Sequence, residues 1–267
     1  SLVVLTRHQE NMKSITKGQK KLTDQRWKGY RIGITGANGT LGRALTKKLR
    51  DKGAYVIGLT HRKIPPQQTS KKGPQEWINW KCGEENLLDK ILTTLDILVL
   101  NHGINPKGEQ SPLALNEALE INALSSMRLM NQFEALSIKG NTTSKACEIW
   151  VNTSEAEIQP ALSPGYEISK KLIGQLVSLR WSNVNKEQKK IKIRKLVLGP
   201  FFSELNPIGI MSADFVASQI LNQVEFGFNL IIVSPNPLTY FLIPLNEICR
   251  SIYSRLTSKI YKNKTHN

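Results

Sequence analysis

The stretch Thr35-Gly36-Ala37-Asn38-Gly39-Thr40-Leu41-Gly42 constrains the fold more than any other in this chain. Its G-x-x-G-x-x-G glycines directly follow the run Tyr30-Arg31-Ile32-Gly33-Ile34-Thr35, which reads as a strand. They open into a helical stretch from Leu41 to Lys52 that Gly53 ends. Residues without Cβ permit the tight turn and let the backbone approach a pyrophosphate, whose charge is favoured by the free N–H groups of a helix N-terminus. Gly36, Asn38, Gly39, Thr40 and Leu41 are therefore the candidate phosphate-cradling residues.

The alternation continues along the chain. Ala54 to Leu59, Trp77 to Trp80, Asp96 to Leu100, Cys147 to Val151, Ile191 to Leu198 and Leu230 to Val233 read as strands, and the stretches 113–136, 164–180 and 213–224 read as helices. Such alternation implies βαβ crossovers: a Rossmann-type, doubly wound parallel α/β sheet in three αβα layers. The 267 residues fill one such domain, with a core large enough to need no metal or disulfide. Residues 1–28 read as a basic linker or accessory segment, 29–235 as the cofactor-binding catalytic domain, and 236–267 as a basic amphipathic extension. A loop runs from Pro65-Pro66 to Gly73-Pro74. Cys82, Cys147 and Cys249 fit no C-x-x-C pattern and leave an odd thiol, which points to a reducing, cytoplasmic compartment and no metal site.

A formal charge of +16 favours acidic partners: phosphate-bearing cofactors, anionic lipid or nucleic acid. No aromatic platform, zinc pattern or recognition-helix signature accompanies the charge, so nucleic acid is not expected. The basic blocks at the N-terminus, around Lys186 to Lys195 and after Arg250 read as solvated faces. No apolar run reaches the roughly 18 residues of a spanning helix, and Leu2 to Leu5 is too short for a signal-peptide core. After an apolar run, Leu238 to Leu245, interrupted by Pro244, the residues Leu245, Ile248, Ile252, Leu256 and Ile260 recur at helical spacing opposite Arg250, Arg255, Lys259 and Lys262. Such a helix suits an anionic membrane surface, or equally a face packed on the domain or on a second subunit.

An NAD site carries an acid about 20 residues after the glycine turn, for the ribose 2′-hydroxyl. The corresponding stretch here, Gly58-Leu59-Thr60-His61-Arg62-Lys63, has none, and Arg62 is suited to pair with a 2′-phosphate, supported by Thr60 and His61. NADP(H) is thus the expected cofactor. Tyr166 and Lys170 stand at i and i+4 at the start of a helix, on one face. A tyrosine with a reference pKa near 10 is a poor acid or base at neutral pH, and a neighbouring ammonium brings it towards the working range. The strand ending Val151-Asn152-Thr153-Ser154 delivers hydroxyls at its C-terminal edge, able to hydrogen-bond a carbonyl as charge develops on it.

The ordered set of glycine turn, Asp96 to Gly103, Glu120-Ile121-Asn122, strand-end serine, Tyr-x-x-Ser-Lys and Leu198-Gly199-Pro200-Phe201-Phe202-Ser203 resembles the short-chain dehydrogenase/reductase family over residues 29 to 235. The resemblance implies that Tyr166 is the general acid/base, Lys170 its modulator and a ribose ligand, and Ser154 the carbonyl-orienting hydroxyl, with Thr153 its rival. It further implies that Asn122 holds a relay water, that Asn101, Gly103 and Pro200 line the cofactor, and that Ser203 contacts the nicotinamide carboxamide. Family members are commonly homo-oligomers. His102 departs from the family pattern and stands either against the ligands or packed within the protein. The implied activity is NADP(H)-dependent interconversion of a hydrophobic ketone or aldehyde with its alcohol; the alternative is a catalytically silent NADP(H)-binding module.

Overall fold

The computed structural model describes residues 26–62, 73–140, 146–182 and 191–264; the expected accessory segment before residue 26, most of the Pro65 to Pro74 loop and the basic stretch 183–190 lie outside them. Seven strands form one parallel sheet: β1 (Arg31–Thr35), β2 (Tyr55–Thr60), β3 (Glu76–Asn79), β4 (Ile97–Leu100), β5 (Cys147–Ser154), β6 (Ile191–Leu198) and β7 (Leu230–Val233). Their order is β3-β2-β1-β4-β5-β6-β7, so the winding reverses between β1 and β4. At that reversal, beyond the carboxyl ends of the strands, a doubly wound sheet leaves its binding crevice.

Helices α1 (Thr40–Asp51), α2 (Asp89–Leu92), α3 (Pro112–Leu119), α4 (Ser125–Gly140), α5 (Pro164–Ser182), α6 (Ala213–Glu225) and α7 (Pro237–Lys264) cover the sheet. One apolar core joins α1 and α6 to Ile32, Ile34, Val99 and Trp150; the other joins α4 and α5 to Ile57, Leu59, Leu98 and Ile149. Burial on both faces explains why the central strands are nearly continuous apolar runs.

Three sequence expectations change here. Trp27 was expected outside the domain, yet it is buried in the first core. It stacks edge-on against Trp150 at 5.7 Å, and its indole N–H donates to Glu225 at 3.1 Å. Arg194 and Lys195, expected on a solvated basic face, are buried side chains of β6. Arg194 makes a two-pronged contact with Glu148 at 2.7 and 2.8 Å, and Lys195 lies 2.6 Å from Glu157 and 2.8 Å from Glu247. Partner carboxylates arriving from distant parts of the chain make this burial tolerable. Pro244, expected to interrupt the C-terminal run, lies inside one continuous helix, α7. A proline removes a single backbone donor, and the residue one turn earlier, Tyr240, is half exposed.

Helix α7 packs against α5 and β7, and Glu247 is its buried tether to Lys195. Replacing Lys195 by Met leaves two carboxylates facing each other in the interior. The expected cost is about 3–5 kcal/mol, read as a lowered urea midpoint; an unchanged midpoint contradicts a stabilising role for the cluster.

Candidate active site

The crevice begins at the glycine turn. Gly36 has a φ of +63°, and a Cβ there would lie 2.9 Å from the His102 backbone, so only glycine lets β1 turn this close to the end of β4. Gly42 is equally confined, because a Cβ would meet the Gly36 carbonyl at 2.3 Å. Gly39 caps α1 without a side-chain hydrogen bond, and the first turn holds no acidic residue. An uncapped helix N-terminus reached through a glycine bend fits a pyrophosphate. Asn38, Thr40 and Leu41 fall on this bend as the sequence places them.

On the adenosine side, the Thr60 hydroxyl accepts from the Arg62 amide at 3.2 Å, and Asn79 donates to the Arg62 carbonyl at 3.3 Å. The Arg62 guanidinium reaches Glu204 at 3.2 Å, while Arg43, one turn into α1, approaches the other oxygen of the same carboxylate at 3.8 Å. Two exposed guanidiniums therefore converge on the Glu204 carboxylate beside the end of β2, and Arg43 was not singled out from sequence. Its signal was its place directly after Gly42 on the helix that the turn opens. His61 is exposed beside Arg62.

Past β4, the Asn101 side chain donates to the Gly36 carbonyl at 3.4 Å and accepts from Asn152 at 2.9 Å, bridging the first and fifth strands. His102 is packed through one side of its ring: its Nδ1 lies 2.8 Å from the Thr35 hydroxyl and Trp80 stands edge-on at 5.4 Å, while its Nε2 has no hydrogen-bond partner among the described residues. Burial, reinforced by the Lys170 charge, lowers its pKa to about 4.

Asn122 is buried in a π-helical turn, Glu120–Leu124, between α3 and α4. Its Oδ1 accepts from the Ile104 amide at 2.7 Å, while its Nδ2 donates to the Ile104 carbonyl at 3.0 Å and to Ser169 at 2.8 Å. The side chain thus pins the β4 loop to α5, with its polar atoms already partnered. A Cβ at Gly103 would crowd this contact, standing 2.9 Å from the Asn122 oxygen.

The reactive cluster lies at the end of β5 and the start of α5. The Ser154 hydroxyl accepts from the Ala156 amide at 3.2 Å and stands close enough to the Tyr166 phenol to lower its pKa. The Thr153 hydroxyl instead donates to the Leu196 carbonyl at 3.1 Å, so Ser154 is the strand-end hydroxyl beside the phenol. The Lys170 ammonium sits 5.7 Å from the Tyr166 ring centroid and donates to the Asn152 carbonyl at 3.1 Å. Burial lowers its pKa to about 8, with the Glu157 carboxylate opposing that shift. Burial likewise raises the Tyr166 pKa, against the Ser154 hydrogen bond. The phenol therefore holds its proton at neutral pH and needs a further positive charge before it can act as a base. Asn152 and Glu157 were not singled out from sequence, because a backbone carbonyl and a carboxylate behind the lysine leave no spacing signature.

The loop after β6 folds back on itself. The Pro200 carbonyl accepts from the Ile210 amide at 3.0 Å and from the Met211 amide at 3.3 Å, and the Ser203 hydroxyl accepts from the Asn206 amide at 3.1 Å. Ser203 is thus engaged within its own turn rather than held ready for a carboxamide. The loop spans the crevice, with Glu204 on the Arg62 side and the Leu205 carbonyl accepting from Asn105 at 3.2 Å on the other. Among the described residues no cluster of three or more acidic, histidine or cysteine side chains is placed to hold a metal.

The switch-point crevice, the glycine bend and the Ser154, Tyr166 and Lys170 cluster define a nicotinamide-dependent enzyme of the short-chain dehydrogenase and epimerase superfamily. Residues 32–177 match the model of the NAD dependent epimerase/dehydratase family, and the chain belongs to that family. The chain is 41% identical over 234 residues to the monoglucosyldiacylglycerol epimerase of Synechocystis sp. (strain ATCC 27184 / PCC 6803 / Kazusa), covering 87% of this chain and 56% of that protein. It thus spans little more than half the length of that relative. Among solved structures, it resembles a short-chain dehydrogenase from Sphingobium yanoikuyae in complex with NADPH, with a TM-score of 0.70, 14% identity and coverage of 84% of this chain and 95% of the other. A short-chain dehydrogenase from Burkholderia cenocepacia J2315 in complex with NADP gives 0.69 at 15% identity, covering 86% and 98%. These likenesses establish the fold. The expected dehydrogenase resemblance therefore holds at the level of the superfamily, and the family itself is the epimerase/dehydratase one.

His102 provides a test of the packed reading. Its folded pKa lies below the ordinary histidine value, so the neutral ring stabilises the fold above about pH 6.5, and that contribution is lost as the pH falls through about 4. The ring signals followed by NMR should stay those of a neutral imidazole from about pH 8 down to pH 5. A midpoint above pH 6 would show a solvated, ligand-facing histidine.

Proposed function

We propose that this chain is an NADP(H)-dependent epimerase acting on a carbinol carbon in the sugar headgroup of a glycolipid, with Tyr166 as the acid/base. The observation carrying this reading is the Ser154, Tyr166 and Lys170 cluster in a chain 41% identical to a protein named for epimerising monoglucosyldiacylglycerol. Each half of such a reaction is the alcohol–carbonyl interconversion that the sequence motifs imply. A bound nicotinamide supplies the hydride acceptor for the carbinol C–H and the donor that returns hydride to the opposite face.

The Tyr166 oxygen takes the substrate hydroxyl proton as the carbon is oxidised and gives it back on reduction. Ser154 donates to the substrate oxygen and holds it beside the phenol. Lys170, fixed by the Asn152 carbonyl, stabilises the phenolate while the proton is away. Protons and electrons balance over the cycle, so no external oxidant is consumed. Convergence of Arg62 and Arg43 on one carboxylate supports a 2′-phosphate as their ligand in the working enzyme. A catalytically silent module is disfavoured, since a mere sensor has no use for the acid/base pair.

Tyr166→Phe should lower turnover of detergent-dispersed monoglucosyldiacylglycerol by about 10²–10⁴-fold while NADPH affinity changes little; retained turnover removes Tyr166 from its role. Arg62→Glu should weaken NADPH binding at least about tenfold relative to NADH, roughly the loss of one charge-assisted contact. Equal effects on both cofactors, measured by fluorescence titration, would contradict the phosphate assignment.

A further inference from the structure

We infer that Glu204 competes with the cofactor's 2′-phosphate for Arg62 and Arg43, so that NADPH must displace the carboxylate which latches the loop after β6 across the crevice. This inference rests on the NADP(H) reading proposed above and adds to it a residue that sets cofactor preference. The two cations are held from different sides of the opening. Arg62 is fixed at the end of β2, where its amide donates to the Thr60 hydroxyl at 3.2 Å and its carbonyl accepts from Asn79 at 3.3 Å. Arg43 is fixed to the glycine bend, since its guanidinium donates to the Asn38 carbonyl. Their side chains are 54% and 51% exposed, so a ligand arriving from solvent can reach both.

Between them stands the tip of loop 199–212, which is folded on itself. The Phe202 amide donates to the Met211 carbonyl at 2.8 Å, Ser203 and Asn206 exchange backbone hydrogen bonds at 3.0 and 3.1 Å, and the Ile210 amide reaches the Pro200 carbonyl at 3.0 Å. Gly209 lies so tightly on Phe201 that a Cβ would meet its carbonyl carbon at 2.0 Å. At the roots of the loop Phe201 and Met211 pack on the first core, whereas Phe202, Ile208 and Ile210 stand exposed. The tip is fastened outward by polar contacts: Glu204 reaches Arg62 at 3.2 Å and Arg43 at 3.8 Å, and the Leu205 carbonyl accepts from Asn105 at 3.2 Å.

A carboxylate that offers one oxygen to each of two guanidiniums occupies them as two phosphate oxygens would. The phosphate brings more charge and a third acceptor oxygen, so it satisfies both arginines and wins the exchange. Exposed ion pairs are individually weak, which leaves the latch able to yield. NADH carries a hydroxyl in place of the phosphate and has no comparable claim on the guanidiniums. The stretch Gly58 to Lys63 at the end of β2 holds no acid, so the carboxylate that meets these arginines comes from a displaceable loop and not from the fixed strand edge. Preference and loop attachment are therefore set by the same contact.

Fluorescence titration of the full chain with NADPH and NADH compares wild type, Glu204→Gln and, as a control for net charge, Glu109→Gln, whose carboxylate is bonded to Ser111 beyond β4. Glu204→Gln should bind NADPH roughly threefold tighter, the scale of one exposed ion pair, with NADH affinity unchanged and Glu109→Gln like wild type. Hydrogen exchange over residues 199–212 should quicken when wild type binds adenosine 2′,5′-bisphosphate and stay unchanged with 5′-AMP; in Glu204→Gln it should be fast from the start. Equal gains in the two glutamine variants reveal a long-range field and overturn the latch, as does a loop whose exchange ignores the bisphosphate. Weaker NADH binding by Glu204→Gln makes the carboxylate an acceptor for the ribose hydroxyl and overturns the inference as well. Wild type that prefers NADH overturns the NADP(H) reading itself, whereas wild type that prefers NADPH, with Glu204→Gln unchanged, overturns the latch alone.

Discussion

The site depends on keeping an ammonium group buried beside a phenol. Lys170 lies in the protein interior, where charge is disfavoured, and the Asn152 carbonyl, the Tyr166 ring face and the field of Glu157 hold it there. The fold is arranged around that cost. Strand β5 brings Asn152 and Ser154 to the sheet edge, α5 places Tyr166 and Lys170 one turn apart, and the segment after β5 sets Glu157 behind the lysine. Tyr166 is thereby prepared to release its proton only when additional positive charge arrives in the crevice. Such a device restricts chemistry to the occupied site.

A second constraint reaches the site from behind. Lys195, fully buried on β6, binds Glu157 on one side and Glu247 of α7 on the other. Glu157 thus belongs both to the electrostatic surroundings of Lys170 and to the anchor of the C-terminal helix. Gly174 on α5 accommodates the carboxylate, because a Cβ there would lie 2.0 Å from its carbon. The same helix that carries the exposed apolar stripe is therefore fastened to the residues that tune the catalytic lysine. Pulling Glu247 away would leave Glu157 as the one carboxylate partner of Lys195 among the described residues, beside the Gly174 carbonyl and the Ser178 hydroxyl.

Much of the fold was legible in the sequence because its signals are local. Strand boundaries differ from the expected ones by a few residues at most for β1 to β7, whereas the single helix expected over 113–136 is two helices joined by the π-helical turn Glu120–Leu124, and the glycine turn announces the switch-point crevice by its place between a strand and a helix. Tyr166 and Lys170 were legible for the same reason, since one helical turn separates them. What escaped depends on long-range encounters. Arg194 and Lys195 look like surface charge until Glu148, Glu157 and Glu247 arrive from other elements. Trp27 looks like linker until Trp150 meets it. The choice between Thr153 and Ser154 turned on which neighbour each hydroxyl finds, a matter of strand pleat and of the partner strand β6. Asn122 was recognised as a site residue, but its engagement with Ile104 and Ser169 required three elements to be placed together.

The central claim is that oxidation and reduction occur at one carbinol carbon within a single binding event. It is tested most directly with a glucolipid deuterated at that carbon and incubated with the protein carrying unlabelled NADP(H). The epimerised product should keep its deuterium, with none appearing in water and none lost to free NADPH. Product that has lost its deuterium to solvent, or a net build-up of ketone with reduced cofactor, would contradict it.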